Sequence, residues 1–291
     1  MNRSKREELK FKTKVAIYRL LPNWFSSLIR RRQVPLAKML QFKQEYANQT
    51  IQEPTRFQTI AIIVPCYNHS RYLASAFESI VKQTRPADQV IMIDDASRDE
   101  TWTLLQKLTA SAGAQTKFII HKNDKNLGQA ETINRAIQLA TADLVMIMND
   151  DDYLMHDAIE FVVNLFKRNS DLALVGFGNI LFKDSKFLKQ SKKFIRDYAE
   201  TEMNKIKITS TQDALRFEDF CSLNMTHTGS TFDRKKALSV GLYWEQNKRI
   251  VPFSDRDFQI RMNLLYPVGT NPDVPISFWR TDSSEDRGLN S

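Results

Sequence analysis

Short apolar runs and helical apolar stripes alternate along residues 59–177. TIAIIVP (59–65) is a β-branched run that stops at Pro65, the pattern of a buried strand. In LASAFESIVKQT (73–84), Leu73, Phe77, Ile80 and Val81 recur at helical spacing. QVIMIDD (89–95) predicts a second strand, and Ser97 or Asp99 can cap a helix carrying Trp102, Leu105 and Leu108 on one face. KFIIHK (117–122) predicts a third strand, and ETINRAIQLA places Ile133, Ala136, Ile137 and Ala140 on one helical face. DLVMIM (143–148), AIEFVVNLF (158–166) and LALVGF (172–177) continue as strand, helix and strand. Strand–helix alternation at this spacing predicts βαβ units, hence an α/β fold with a mostly parallel sheet flanked by helices. Beyond residue 180 the pattern weakens into a polar, Lys-rich excursion.

Ligands of open α/β sheets bind outside the carboxyl ends of the strands. The polar residues of this chain gather there. Pro65-Cys66-Tyr67-Asn68 follows the first strand and Asp94-Asp95 ends the second. Asn126-Leu127-Gly128 follows the third, and Asn149-Asp150-Asp151-Asp152 ends the fourth. Taken alone, Asp94-Asp95 is equally a turn with a cap, and Asn126–Gly128 is a common turn. Three adjacent aspartates at a buried strand end are harder to reduce to turn chemistry. Carboxylates gathered on one rim suit a hard cation, Mg²⁺ or Mn²⁺, together with a substrate diphosphate. PCYNHSR (65–71) has no glycine, so neither a P-loop nor a dinucleotide fingerprint follows the first strand.

AIIVPCYNHSRYLASAFESIVKQT, QVIMIDDASRDET and NLGQAETINRAIQLATADLVMIMNDDDYL occur in this order. Together they resemble the nucleotide-sugar-binding half of family 2 glycosyltransferases of GT-A fold. A weaker likeness over MTHTGSTFDRKKALSVGLYWEQNKRIVPFSDRDFQIRM resembles the acceptor segment of that family. The resemblance implies a Rossmann-like GT-A domain over 57–291, with a donor half at 57–180 and an acceptor half at 181–291. It implies a nucleoside-diphosphate sugar donor, a saccharide or lipid-linked acceptor, and a role in surface polysaccharide assembly. Pro65, Tyr67, Asn68, Asp94, Asp95, Asn126, Asn149 and Asp150 would border the nucleotide sugar. Asp151 would hold Mn²⁺ or Mg²⁺, with Asp152 as a loop residue behind it. Asp255 would be the catalytic base of an inverting transfer, with Asp257 nearby.

Three departures from the family pattern stand out. Asn149 occupies the position of the first Asp of the Asp-x-Asp motif, and Ser254 precedes the base where an acidic residue is usual. FWRTDSSEDRG lacks a C-terminal His, for which Arg280 or Asp282 can substitute. His227, in MTHTGS, lines the site or is structural. These departures keep open a catalytically inactive nucleotide-sugar or glycan-binding module. A nucleotidyltransferase is a further alternative.

Charge changes the picture only at the N-terminus. Of the 42 basic and 34 acidic residues, residues 1–56 hold 13 and 4, leaving 29 and 30 for the rest. The balanced body argues against nucleic acid as a partner. Residues 1–56 predict a basic helical extension with Ile17, Leu20, Leu21, Trp24, Phe25 and Leu28 on one face, followed by Arg30-Arg31-Arg32. Such a segment either lies on an anionic bilayer or packs on the body. No apolar run of spanning length and no secretory signal are read, so the expected place is cytoplasmic, peripheral on the inner membrane face. Cys66 and Cys221 have neither metal-site nor disulfide spacing.

Overall fold

The computed structural model describes residues 36–51, 59–182, 205–215, 225–251 and 253–281. Helix α1 (Leu36–Tyr46) precedes strand β1 (Ile60–Cys66), helix α2 (Ser70–Val81), strand β2 (Gln89–Asp94) and helix α3 (Thr101–Ala110). Strand β3 (Lys117–Lys122), helix α4 (Gln129–Leu139) and strand β4 (Leu144–Ile147) follow. Next come the two-residue strand β5 (Tyr153–Leu154), helix α5 (Ala158–Arg168) and strand β6 (Leu174–Phe182). The second part holds β7 (Lys207–Thr209), β8 (Thr231–Asp233), α6 (Arg234–Ser239), α7 (Ser254–Leu265) and β9 (Val268–Arg280).

Every residue of β1 is buried, as its unbroken apolar run requires of a strand covered on both faces. Alternation then sorts the side chains. Ile60, Ile62 and Val64 pack with Leu73, Phe77 and Phe166 on one face. Ala61 and Ile63 pack with Ile133, Ile137 and Phe258 on the other. β3 is the half-exposed edge strand, which accommodates His121 and Lys122.

The sheet order is β3-β2-β1-β4-β8-β6-β9-β5, with β7 paired to β9. The four strands from β3 to β4 are parallel. β6 was expected as the next parallel strand, but the short β8 lies antiparallel between β4 and β6. Three residues of MTHTGSTFD are too few to show an alternation, so the strand left no periodic signal. β6 and β9 are parallel, with register shifts around Gly178. A Cβ there would meet the Pro272 carbonyl oxygen at 2.1 Å, which demands glycine.

The second part is tied down by a buried polar hub. Arg261 of α7 is fully buried and pairs with Asp257 at 2.8 Å. It also donates to the Val240 and Leu242 carbonyls at 2.5 Å and lies 4.1 Å from the Trp244 ring centroid. These bonds satisfy the guanidinium, which is the condition for burying it. Helix α1 covers this hub with Met39 and Phe42, both buried. The last described part of the N-terminal segment is thus built into the body. The apolar face from Ile17 to Leu28 lies outside the described residues. Among the described residues no helix is long and apolar enough to cross a membrane.

Candidate active site

The strand ends meet through side-chain bonds that cross from loop to loop. After β1 the chain turns at Asn68, whose φ of 53° is one of the left-handed conformations asparagine tolerates. Asn68 N–H donates to Ser97 Oγ at 3.0 Å, and its Oδ1 accepts from Arg98 N–H at 2.8 Å. Asp99 accepts from the Thr101 N–H and from the Ser70 N–H, capping α3 and α2 together.

Asp94 and Asp95 divide their roles. Asp94 is fully buried, accepts from Ser97 N–H and pairs with Lys122 at 3.8 Å. Asp95 accepts from the N–H groups of Leu127 and Gly128 and from the Asn123 amide, each at 2.8 Å. Gly128, at φ 83°, turns the chain so that this N–H is presented. Asp95 therefore holds the loop that carries Asn126.

At the end of β4 the three aspartates face three ways. Asp150 accepts from Tyr67 N–H at 3.1 Å, and its Oδ1 lies 2.7 Å from His69 Nδ1. Burial pushes its carboxyl above the usual range, against the pull of His69. Asp152 accepts from the Arg280 N–H, the Asn149 amide and, in a very short bond, the Thr228 hydroxyl. Burial, and then the neighbouring Asp151, push Asp152 up to about 7. Asp151 is buried, and its carbonyl accepts from Arg280 Nε at 3.0 Å. One ligand atom each from His69, Asp150 and Asp151 lie within 4.8 Å of one another. Two carboxylates and an imidazole fit a divalent cation, Mn²⁺ more readily than all-oxygen Mg²⁺.

Two cavities open at this rim. The first, about 340 Å³, is walled by Pro65, Tyr67, His69, Asp95, Asn126, Gly128, Gln129, Asn149 and Asp150. The second, about 380 Å³, is walled by Gln129, Asn149, Asp152, Asn179, Thr226, His227, Ser254, Asp255 and Trp279. Gln129 and Asn149 belong to both, joined by a 3.0 Å bond from the Gln129 amide to Asn149 Oδ1. Asp255 stands half-buried in the first turn of α7. His227 Nε2 lies 3.1 Å from the Tyr243 hydroxyl. Burial lowers the imidazole pKa, and the Asp255 charge partly opposes it.

The expected residues thus separate into groups. Pro65, Tyr67, Asp95, Asn126, Asn149 and Asp150 share the first cavity, while Asp152, His227 and Asp255 share the second with Asn149. Asn68 and Asp94 are on neither wall: Asn68 is bonded to Ser97 and Arg98, and Asp94 is fully buried beside Ser97 and Lys122. Asp257 was expected beside the base. It is instead a fully buried group whose oxygens serve Arg261 and the Ile250 N–H. Arg280, expected as a substitute for the missing C-terminal His, is on neither cavity wall; it bonds Asp152 and the Asp151 carbonyl and lies between Tyr72 and Phe182 at 4.5 and 4.4 Å. Asp282 lies outside the described residues. His69 and Gln129 had no role in the sequence reading. His69 is 81 residues from Asp150, a separation no local motif records, although its place beside Asn68 put it on the same rim.

A parallel sheet whose acid-bearing strand ends open on two adjoining cavities, the second holding Asp152 and Asp255, has the GT-A architecture. The model of the family "Glycosyl transferase family 2" matches residues 61–238, more than half of the chain, and the chain belongs to that family. Chondroitin synthase of Escherichia coli is 33% identical over 120 residues, which is 41% of this chain and 17% of that protein. Poly-beta-1,6-N-acetyl-D-glucosamine synthase of Staphylococcus aureus is 27% identical over 116 residues, 40% of this chain and 27% of that protein. The chain therefore spans less than half the length of these relatives. Among solved structures, S. aureus TarS 1-349 in complex with UDP-GlcNAc aligns with a TM-score of 0.57 at 15% identity. That alignment covers 77% of this chain and 59% of the other. Mannosyltransferase PcManGT from Pyrobaculum calidifontis, in complex with GDP-Man and Mn²⁺, aligns with a TM-score of 0.54 at 16% identity, covering 84% and 64%. At these identities the structures establish the shared fold.

Proposed function

We propose that this chain transfers a sugar from a nucleoside-diphosphate donor to a saccharide or lipid-linked acceptor with inversion at the anomeric carbon. The observation that carries this reading is the common wall of the two cavities. A donor seated between Tyr67, Asp95 and Asn126 points its diphosphate toward the Asp150 end of β4. An acceptor in the second cavity then faces it across Gln129 and Asn149, with Asp255 beside the acceptor. The nucleotide sugars bound in the fold relatives, UDP-GlcNAc and GDP-Man, support the donor class.

Asp255 accepts the proton of the acceptor hydroxyl as that oxygen bonds to the anomeric carbon. The bond from that carbon to the diphosphate oxygen breaks in the same displacement, through an oxocarbenium-like transition state. One carboxylate suffices, and no covalent enzyme intermediate forms. His69, Asp150 and Asp151 would hold a divalent cation, with Mn²⁺ the better match. When bound, that cation offsets the charge growing on the departing diphosphate. Arg280 keeps the Asp151 backbone and the Asp152 side chain in place from behind.

Asp255→Asn should lower turnover by a factor of about 10² to 10⁴, the usual share of a general base. The variant should still bind donor, read as the nucleotide-sugar-induced rise in Tm with Mn²⁺. A wild type that binds donors yet releases no nucleoside diphosphate with any acceptor would establish a binding module instead.

A further inference from the structure

Trp279 takes no part in the proposed transfer step. β9 alternates strictly at this point. Phe278 turns inward against Tyr153 and Phe182, Arg280 turns inward beneath the aspartates, and Trp279 between them turns out. The indole is 48% exposed, and its register partner Leu181 on β6 is 59% exposed. A lone exposed aromatic carries no meaning on a protein surface. This one forms part of the wall of the Asp255 cavity, opposite side chains that are almost all polar. Asn179 and Gln129 bring amides, Thr226 a hydroxyl, His227 an imidazole, and Asp152 and Asp255 carboxylates. No lysine or arginine belongs to that wall among the described residues.

An aromatic face set among amides, hydroxyls and carboxylates matches one ligand chemistry closely. A sugar ring has a C–H face that carries slight positive charge and a rim of hydroxyls. The negative face of an indole attracts the first. Fixed amide and carboxylate groups order the second. At about 380 Å³ the cavity is at the small end of ligand sites, suited to one or two rings rather than a long chain. The Asp255 carboxylate, with no lysine or arginine on this wall among the described residues, disfavours an anionic ring.

We infer that Trp279 is the platform on which the acceptor's terminal sugar stacks, and that this ring is uncharged. The assignment rests on the transferase reading only for the word acceptor; the stacking site stands on the cavity itself.

The test uses the full chain and its Trp279→Ala and Trp279→Phe variants on a microarray of uncharged, carboxylated and sulfated glycans. Each protein is also melted with and without a nucleotide-sugar panel and Mn²⁺. Wild type should capture uncharged glycans, Ala should weaken capture about tenfold or more, and Phe should keep most of it. Undiminished capture by Trp279→Ala overturns the platform, as does a wild type that captures no glycan. Capture confined to carboxylated or sulfated rings overturns the uncharged ring. Indole-dependent binding to phospholipid vesicles in place of glycans also overturns the assignment, making the Trp279–Leu181 surface a lipid contact. If no nucleotide sugar shifts Tm while indole-dependent glycan capture persists, the transferase reading fails and the platform stands. A ligand-free Tm of Trp279→Ala close to wild type shows that its loss of capture is not misfolding.

Discussion

Asn149 first presented itself as a missing carboxylate, and its surroundings give it a positive task. Its amide nitrogen donates to Asp152 Oδ2 at 3.0 Å, while its oxygen accepts from Gln129. A carboxylate there would oppose Asp152 with like charge where a donor now stands. Asn149→Asp should therefore lower stability by about 1–3 kcal/mol without metal, the cost of turning a part-buried hydrogen bond into a clash of acceptors. Added Mn²⁺ should recover more Tm in this variant than in wild type. A variant that melts with wild type in EDTA would refute the argument. His227 yields a second residue-scale expectation. Its pKa is lowered from the ordinary 6.5, chiefly by burial, with Asp255 opposing and Tyr243 at Nε2. As pH falls below about 6.5 the unfolded chain takes up a proton that the folded imidazole resists, so stability declines on acidification. The fall in Tm from pH 7.5 to 5.5 should be smaller in His227→Gln than in wild type.

Helix α7 shows how one element separates the proposed catalytic carboxylate from a structural one. Asp255 and Asp257 lie two residues apart, about 200° around the helix, so they cannot face the same neighbour. Asp255 meets the cavity, and Asp257 meets Arg261 one turn further on. Both members of that pair are fully buried. Asp257→Ala should cost about 3–5 kcal/mol, because it leaves the guanidinium charge without its carboxylate. Urea unfolding measures this, and a loss below 1 kcal/mol would mean the hub does not anchor α7. The element patterns of the first half were legible because buried strands and amphipathic helices leave periods of two and 3.6. β8 and β9 were not, because three residues cannot show a period and β9 contains Pro272 and Pro275 in an irregular register.

At the scale of the whole molecule, the boundary between extension and body shifts toward the N-terminus. Met39 and Phe42 of α1 are buried against the Arg261 hub, each contributing about 1.5–3 kcal/mol of apolar burial. A chain beginning at residue 57 should lose several kcal/mol relative to one beginning at residue 36. The basic residues before 36 then become testable by themselves. The full chain should bind anionic vesicles in a salt-sensitive manner, and the chain beginning at 36 should not. Equal binding by the two would remove the membrane role from that segment.

The sequence by itself determined the parallel core, the rim on which the polar residues gather, and the family, since local periodicity and short motifs survive in one dimension. Tertiary structure decided which carboxylates face the two cavities. His69 and Asp150 meet across 81 positions, Asn149 lies on the wall shared by two cavities, and Asp257 is turned into the core. The physical reason is that a carboxylate's role depends on which donors and charges surround it. In this fold those neighbours come from distant strands that only the packed sheet brings together.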